Sequence, residues 1–210
     1  LDNNLITRLA GAKGKNPGAD FNGFRMYGQR RKCNLSDAGV VNAYYGEPSF
    51  AVNGSNGQVM VEQPLFYYKF VPLTLFRIEG LAGLACSKFR IYKPGFKIHP
   101  NFTRGVPALI KDKVYLPAYK GSIYDVSAGA YLLNDEQVGD FTVTTGDKLC
   151  SISAAKPASG LTQNMTRTNT RRIANNRGAG FQQSDLLSNS CTQMLFLVEY
   201  ASADSQTVIG

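Results

Sequence analysis

SDLLSNSCTQMLFLVEYASAD, residues 184–204, decides how the C-terminal third of the chain folds. Its apolar residues Leu187, Cys191, Met194, Leu195, Val198 and Ala201 recur at steps of four, three, one, three and three, the pattern of one helical face. Phe196 and Leu197 lie off that stripe, so the helix is expected to be nearly buried. A buried strand over 194–198 is the alternative reading of this apolar run, and the helix accounts for more of the pattern. Five apolar residues in a row fall far short of the ~20 that cross a bilayer, so this stretch is no membrane anchor.

Upstream, TRTNTRRIANNRG (166–178) lacks strand alternation and predicts a helix of about three turns. Thr166 and Thr168 are candidate N-caps, and Gly178 is the candidate residue just past the C-terminus. Before residue 150 the grammar is that of short strands. Val59 and Val61 alternate with Met60 and Glu62; Pro64 interrupts; then Phe66, Tyr67, Tyr68, Phe70 and Val71 form an aromatic, β-branched run. Further strands are expected at 88–93 and 113–121, with Pro72 and Pro117 at edges or strand ends. Residues 125–137 suit either a loop or a short helical turn. The Gly-rich stretch 1–24 reads as a linker or loose arm. The fold class is therefore α+β, β-rich over 25–150 and helical over 151–210 within a single domain, 25–210.

A length of 210 residues is enough to bury a core without staples, and 43% hydrophobic with 18% charged residues describes a globular chain. The net charge of +8 invites a nucleic-acid reading. Its local clusters, Arg30-Arg31-Lys32 and Arg167/Arg171/Arg172/Arg177, contain no aromatic, so a solvated surface is the expected role, with an anionic glycan or protein partner next. The cysteines, Cys33, Cys86, Cys150 and Cys191, are scattered without a CxxC, which argues for reduced thiols rather than a zinc site. Sequons at Asn34, Asn53, Asn101 and Asn164 matter only in a eukaryotic secretory setting.

Catalytic chemistry finds little support. The single histidine, His99, precedes Pro100 and reads as a turn residue rather than a base or ligand. The glycines of NNRGAGF follow a helix instead of opening one, the reverse of a phosphate loop. GEPSF (46–50) lacks the Asn of a calcium-dependent sugar site, and the chain has no Trp. No catalytic, cofactor-binding or metal residue is assigned, and ligand-binding residues stay unassigned. The abundance of Tyr, Asn, Ser and Arg suits molecular recognition.

Several phrases taken together, MYGQRRKCNLSDAGVVNAYYG, GQVMVEQPLFYYK, GFKIHPNF, YKGSIYDVSAGAYLLND, GDKLCSISAAKPASGLTQNMTR, NNRGAGF and QMLFLVEYASADSQTVIG, resemble the constant part of phage and prophage tail-fibre proteins. Many of those carry a C-type-lectin-like fold related to the formylglycine-generating enzyme group, and target proteins of diversity-generating retroelements are similar at greater distance. The resemblance implies that helix 166–177, the GAGF turn and the helix ending at Glu199, Tyr200 and Ala201 belong to that fold. Phe181 stands where relatives often have Trp, and Cys150 and Cys191 match no copper-binding pair, so the oxidase activity is not implied. It places the last helix mid-domain, so the chain is expected to be truncated, processed or partly represented. The implied function is a non-enzymatic virion protein, a tail-fibre or receptor-binding module. Alternatives are a structural virion component of head or baseplate and a prophage-derived bacterial surface adhesin. Expected partners are a host-surface protein or glycan, other virion proteins and further copies of the chain, with no nucleic acid, membrane insertion or cofactor. The expected location is the phage particle, extracellular after release.

Overall fold

A computed structural model describes residues 6–8, 10–72, 82–87, 95–104, 109–133 and 137–209. Its strands are β1 (Arg31–Leu35), β2 (Val41–Tyr44), β3 (Gln58–Pro64), β4 (Tyr67–Pro72), β5 (Ala82–Ser87), β6 (Lys97–Ile98), β7 (Lys113–Pro117), β8 (Ser122–Asp125), β9 (Ala130–Tyr131) and β10 (Lys148–Cys150). Its helices are α1 (Arg25–Gly28), α2 (Arg167–Arg177), α3 (Leu186–Tyr200) and α4 (Ser205–Ile209). The fold is mixed: several small antiparallel sheets, with α2 and α3 as the main helices near the C-terminus. No described helix is long and apolar enough to cross a membrane.

The chain divides into two compact units, each assembled from separated segments. The first comprises 1–30, 63–114 and 185–210. Its sheet runs β5-β4-β6, with Tyr67 opposite Ser87 and Ile98. Helix α3 packs on β5 and on the 3-10 turn Pro100–Phe102. Asp185 caps α3 by accepting from the Ser188 N–H at 3.0 Å, and Ala201 ends it in the left-handed conformation at φ 51°. The helical stripe holds: Cys191 and Leu195 enter a core with Phe21, Met26, Tyr27, Leu65, Phe66 and Phe102. The helix is less enclosed than expected, since Met194, Phe196 and Leu197 are only half-buried and Phe196 stacks on Tyr200. The Gly-rich lead-in, read as a loose arm, carries Phe21 into this core, and the Gly18 N–H donates to Glu199 Oε1 at 2.9 Å. Phe21 turns its ring edge-on to Phe24 and Tyr27, a favourable quadrupole geometry.

The second unit comprises 31–62 and 115–184. Its larger sheet has the order β2-β1-β3-β7 and its smaller one β10-β8-β9. The β1–β2 hairpin turns through Ser36–Gly39, where the Ser36 N–H donates to Val40 O and Gly39 adopts φ 78°. The expected strand 113–121 ends at Pro117. There the Ala118 and Tyr119 N–H groups turn to the Ser151 hydroxyl, at 3.1 and 3.0 Å, and the chain restarts as β8. The open segment after residue 125 becomes the turn of the β8–β9 hairpin, while the expected strand 88–93 lies outside the described residues.

Of the two candidate caps, Thr166 starts α2, its hydroxyl accepting from the Asn169 N–H at 3.2 Å. Ile173 buries against Ile123 and Leu132. At the far end Arg177 donates to Leu149 O, to Asp37 Oδ1 at 2.6 Å and to Cys150 Sγ at 2.9 Å, while Lys148 takes Asp37 Oδ2 at 2.9 Å. Burial alone would raise the Asp37 carboxyl, but these two cations hold it below its ordinary value. Gly178 is required by close approach: a Cβ there would sit 2.4 Å from Asp37 O.

The position of α3 generates a paired prediction. Leu195→Ala, at a site 1% exposed, is expected to lower unfolding free energy by ~2–5 kcal/mol in chemical denaturation. Leu186→Ala, on the same helix but 78% exposed, is expected to change it by less than ~0.5 kcal/mol. Equal losses at both positions would contradict the assigned helical face.

Candidate recognition site

The strands of the larger sheet bring together residues that are distant in sequence. Arg31 and Lys32 are neighbours on β1, so their side chains leave opposite faces of the sheet. Arg31 lies opposite Glu62 on β3 and pairs with it at 3.3 Å. The Glu62 carboxylate, buried, also accepts from the Tyr44 hydroxyl at 2.9 Å and the Tyr115 hydroxyl at 3.4 Å. The Arg31 guanidinium covers the Tyr44 ring 3.7 Å from its centroid. This cation is therefore engaged on its own face.

Lys32 meets a different environment. The Tyr45 N–H donates to Lys32 O at 2.8 Å, which extends the hairpin ladder by one residue. That bond sets the two side chains beside each other, and Lys32 Nζ lies 5.8 Å from the Tyr45 ring centroid and 5.5 Å from that of Tyr119. The Tyr45 ring is 72% exposed and is braced edge-on by Phe50 at 5.5 Å. No carboxylate pairs with Lys32 among the described residues. The result is a cation between two aromatic rings, one of them facing solvent.

Buried polar groups fix the pieces. Asn34, fully buried on β1, exchanges two hydrogen bonds with the Ala51 backbone at 2.7 and 2.8 Å, which anchors the loop carrying Phe50. The Ser151 hydroxyl accepts from Ala118 and Tyr119 and donates to Val59 O at 2.8 Å, which anchors Tyr119. Glu47, in the GEPSF phrase, accepts from the Tyr44 N–H at 3.0 Å and so closes its own turn. The expected lack of aromatics at Arg30-Arg31-Lys32 is corrected here: cross-strand pairing and the β7–β8 turn supply them from Tyr44, Tyr45 and Tyr119. No sequence signal marked this grouping, because it depends on strand register and on where β7 ends. The other basic cluster disperses, with Arg177 buried and Arg167, Arg171 and Arg172 exposed on α2. Among the sequons, Asn34 and Asn101 are buried, whereas Asn53 and Asn164 are exposed.

His99, the single histidine, sits in the core of the first unit against Phe66 and Phe102. The Asn101 N–H donates to Nδ1 at 3.2 Å, so the neutral ring carries its proton on Nε2, 3.2 Å from Ser190 Oγ. Ser190 in turn donates to Leu187 O at 3.1 Å. An imidazole whose Nε2–H points at the serine cannot take the serine's proton, so this Ser–His contact is no nucleophile–base pair. Burial, aided by the Arg104 charge, lowers the His99 pKa to about 4. Burial likewise pushes the Cys150 thiol up to about 11 and the Cys191 thiol up to about 12, which keeps both protonated and poorly nucleophilic at neutral pH. No cluster of metal-ligating side chains occurs among the described residues.

Because only one histidine is present, its ring protons can be followed directly by NMR. The expected titration midpoint is about 4, and a midpoint at the ordinary 6.5 would contradict the buried placement. Between those values the unfolded chain binds a proton that the folded chain resists, so stability falls as pH drops through the window. His99→Gln is expected to flatten that part of the stability–pH profile.

Set against known proteins, the chain matches no protein-family profile, no curated protein and no solved structure.

Proposed function

We propose that this chain is a non-enzymatic receptor-binding module of a phage tail fibre, with a C-type-lectin-like fold, and that it docks a host-surface molecule through the face built around Lys32. The carrying observation is Tyr45, 72% exposed yet braced by Phe50 and set beside Lys32. An exposed ring held in place gives contact area at low entropic cost, the property that makes tyrosine common in recognition surfaces. One such platform supports weak binding. Repetition of copies on a fibre would turn weak contacts into firm adsorption by raising the effective concentration of each later contact. The buried, proton-donating state of His99 supports the non-enzymatic part of this reading.

Purified chain added in excess is expected to compete with the phage that carries it for adsorption to host cells. Tyr45→Ala is expected to weaken that competition by about tenfold, roughly the loss of one aromatic contact. Immunogold labelling of particles should decorate the tail. Lack of competition at saturating concentration, together with label on the head, would favour a structural virion component instead.

A further inference from the structure

We propose that the ligand of this face carries a carboxylate, as in a uronic or sialic acid unit of a surface glycan, with Lys32 as the carboxylate-binding residue; this rests on the face around Lys32 being the receptor-contacting one. The inference follows from how the local charges are distributed. Arg31, the adjacent cation, is paired with buried Glu62 on the opposite sheet face. Glu47, the nearest acid in sequence to Tyr45, has its carboxylate on the Tyr44 N–H. Lys32 is left with Tyr45 and Tyr119 rings as its described partners, at 5.8 and 5.5 Å. Rings attract an ammonium through their quadrupoles but leave its positive charge unneutralised. They also displace water from its flanks, so an approaching anion meets a partly desolvated cation and a stronger attraction than bulk water allows.

The same geometry selects among anions. A single ammonium is a point charge, suited to a monoanion. A phosphate is typically held by an Arg fork or by several backbone N–H groups, and the neighbouring Arg31 lies on the other sheet face, bonded to Glu62. Stacking supplies the second half of recognition, because the apolar C–H face of a pyranose ring fits the exposed Tyr45 ring while its carboxylate reaches Lys32. An extended nucleic acid would call for several cations along one face, and Arg31 and Lys32 point to opposite ones. The overall charge of +8 favours approach of an anionic surface from a distance.

The test uses the full chain and three soluble probes: oligogalacturonate, its methyl ester, and oligoglutamate. Titration calorimetry is expected to show oligogalacturonate binding that weakens at least about tenfold on esterification and falls steeply with added salt. Lys32→Gln should remove the acid preference, and Lys32→Arg should keep most of it, with unchanged circular dichroism and thermal midpoint as the folding control. Equal binding of acid and ester by the parent chain, with Tyr45→Ala abolishing both, would overturn the carboxylate inference and leave the recognition face standing. Binding of oligoglutamate as tight as oligogalacturonate would overturn the glycan class. If adsorption competition is insensitive to Tyr45→Ala while oligogalacturonate binding still depends on Lys32, the carboxylate site stands and its role in receptor binding fails.

Discussion

In the second unit, the structure depends on buried polar side chains that stand in for missing β-ladder bonds. Its strands are short, four of the seven having four residues or fewer, so much backbone lies in loops outside any ladder. Where such an amide is buried, leaving it unpaired would cost about 1–3 kcal/mol. Asn34 answers for Ala51, Ser151 for Ala118 and Tyr119, and Gln58 accepts from the Ser151 N–H at 2.8 Å. Asp147 takes the N–H groups of Val126 and Asp140 on its two oxygens at 3.0 and 2.7 Å. Asn176 on α2 spans Thr142 and Thr144 in the same way. Remove one such side chain and the loop it holds has no alternative ladder to join.

This constraint changes the meaning of the composition. Asn, Ser and Asp are abundant, which by itself suggests a polar recognition surface. Asn34, Asn101, Ser122, Asp147, Ser151 and Asn169 are instead buried. Among them Asn34, Asp147, Ser151 and Asn169 hold loop backbone groups in place. At Tyr45 an anchored loop leaves an aromatic outside.

How much was legible in the sequence follows from the range of the interactions involved. Both long helices could be read because their determinants are local: the 187–191–195–198 stripe, the Thr166 cap, and glycine at 178. Even there the reason for Gly178 was hidden, since it lies in the approach of Asp37 O rather than in a helix-ending turn. Strands over 59–62 and 66–71 were legible from alternation and from the break at Pro64. The end of β7 was not, because it is imposed by the Ser151 hydroxyl on a distant strand end. The packing of Phe21 was hidden as well: glycines around it predict mobility, whereas one aromatic ring inserted among Phe24, Tyr27 and Phe66 decides otherwise. The grouping of Lys32 with Tyr45 and Tyr119 was least legible, as it needs the hairpin register, the Asn34 anchor and the β7–β8 turn together.

Charge shows the same dependence on register. The sequence offers a diffuse excess of cations, and the fold engages many of them individually. Arg25 pairs with Asp112, Arg104 with Asp185, Arg31 with Glu62, and Arg177 with Asp37. Three of these neutralise a cation that is largely removed from water, Arg177, Arg25 and Arg104, where leaving it alone would be costly. Arginine suits that work, because its planar fork can satisfy a carboxylate and a carbonyl at once, as Arg177 does with Asp37 and Leu149. Lys32 has no such assignment among the described residues; its neighbours are rings. Four arginines are thus tied to carboxylates within the fold, whereas Lys32 lies beside an exposed tyrosine with rings as its described neighbours.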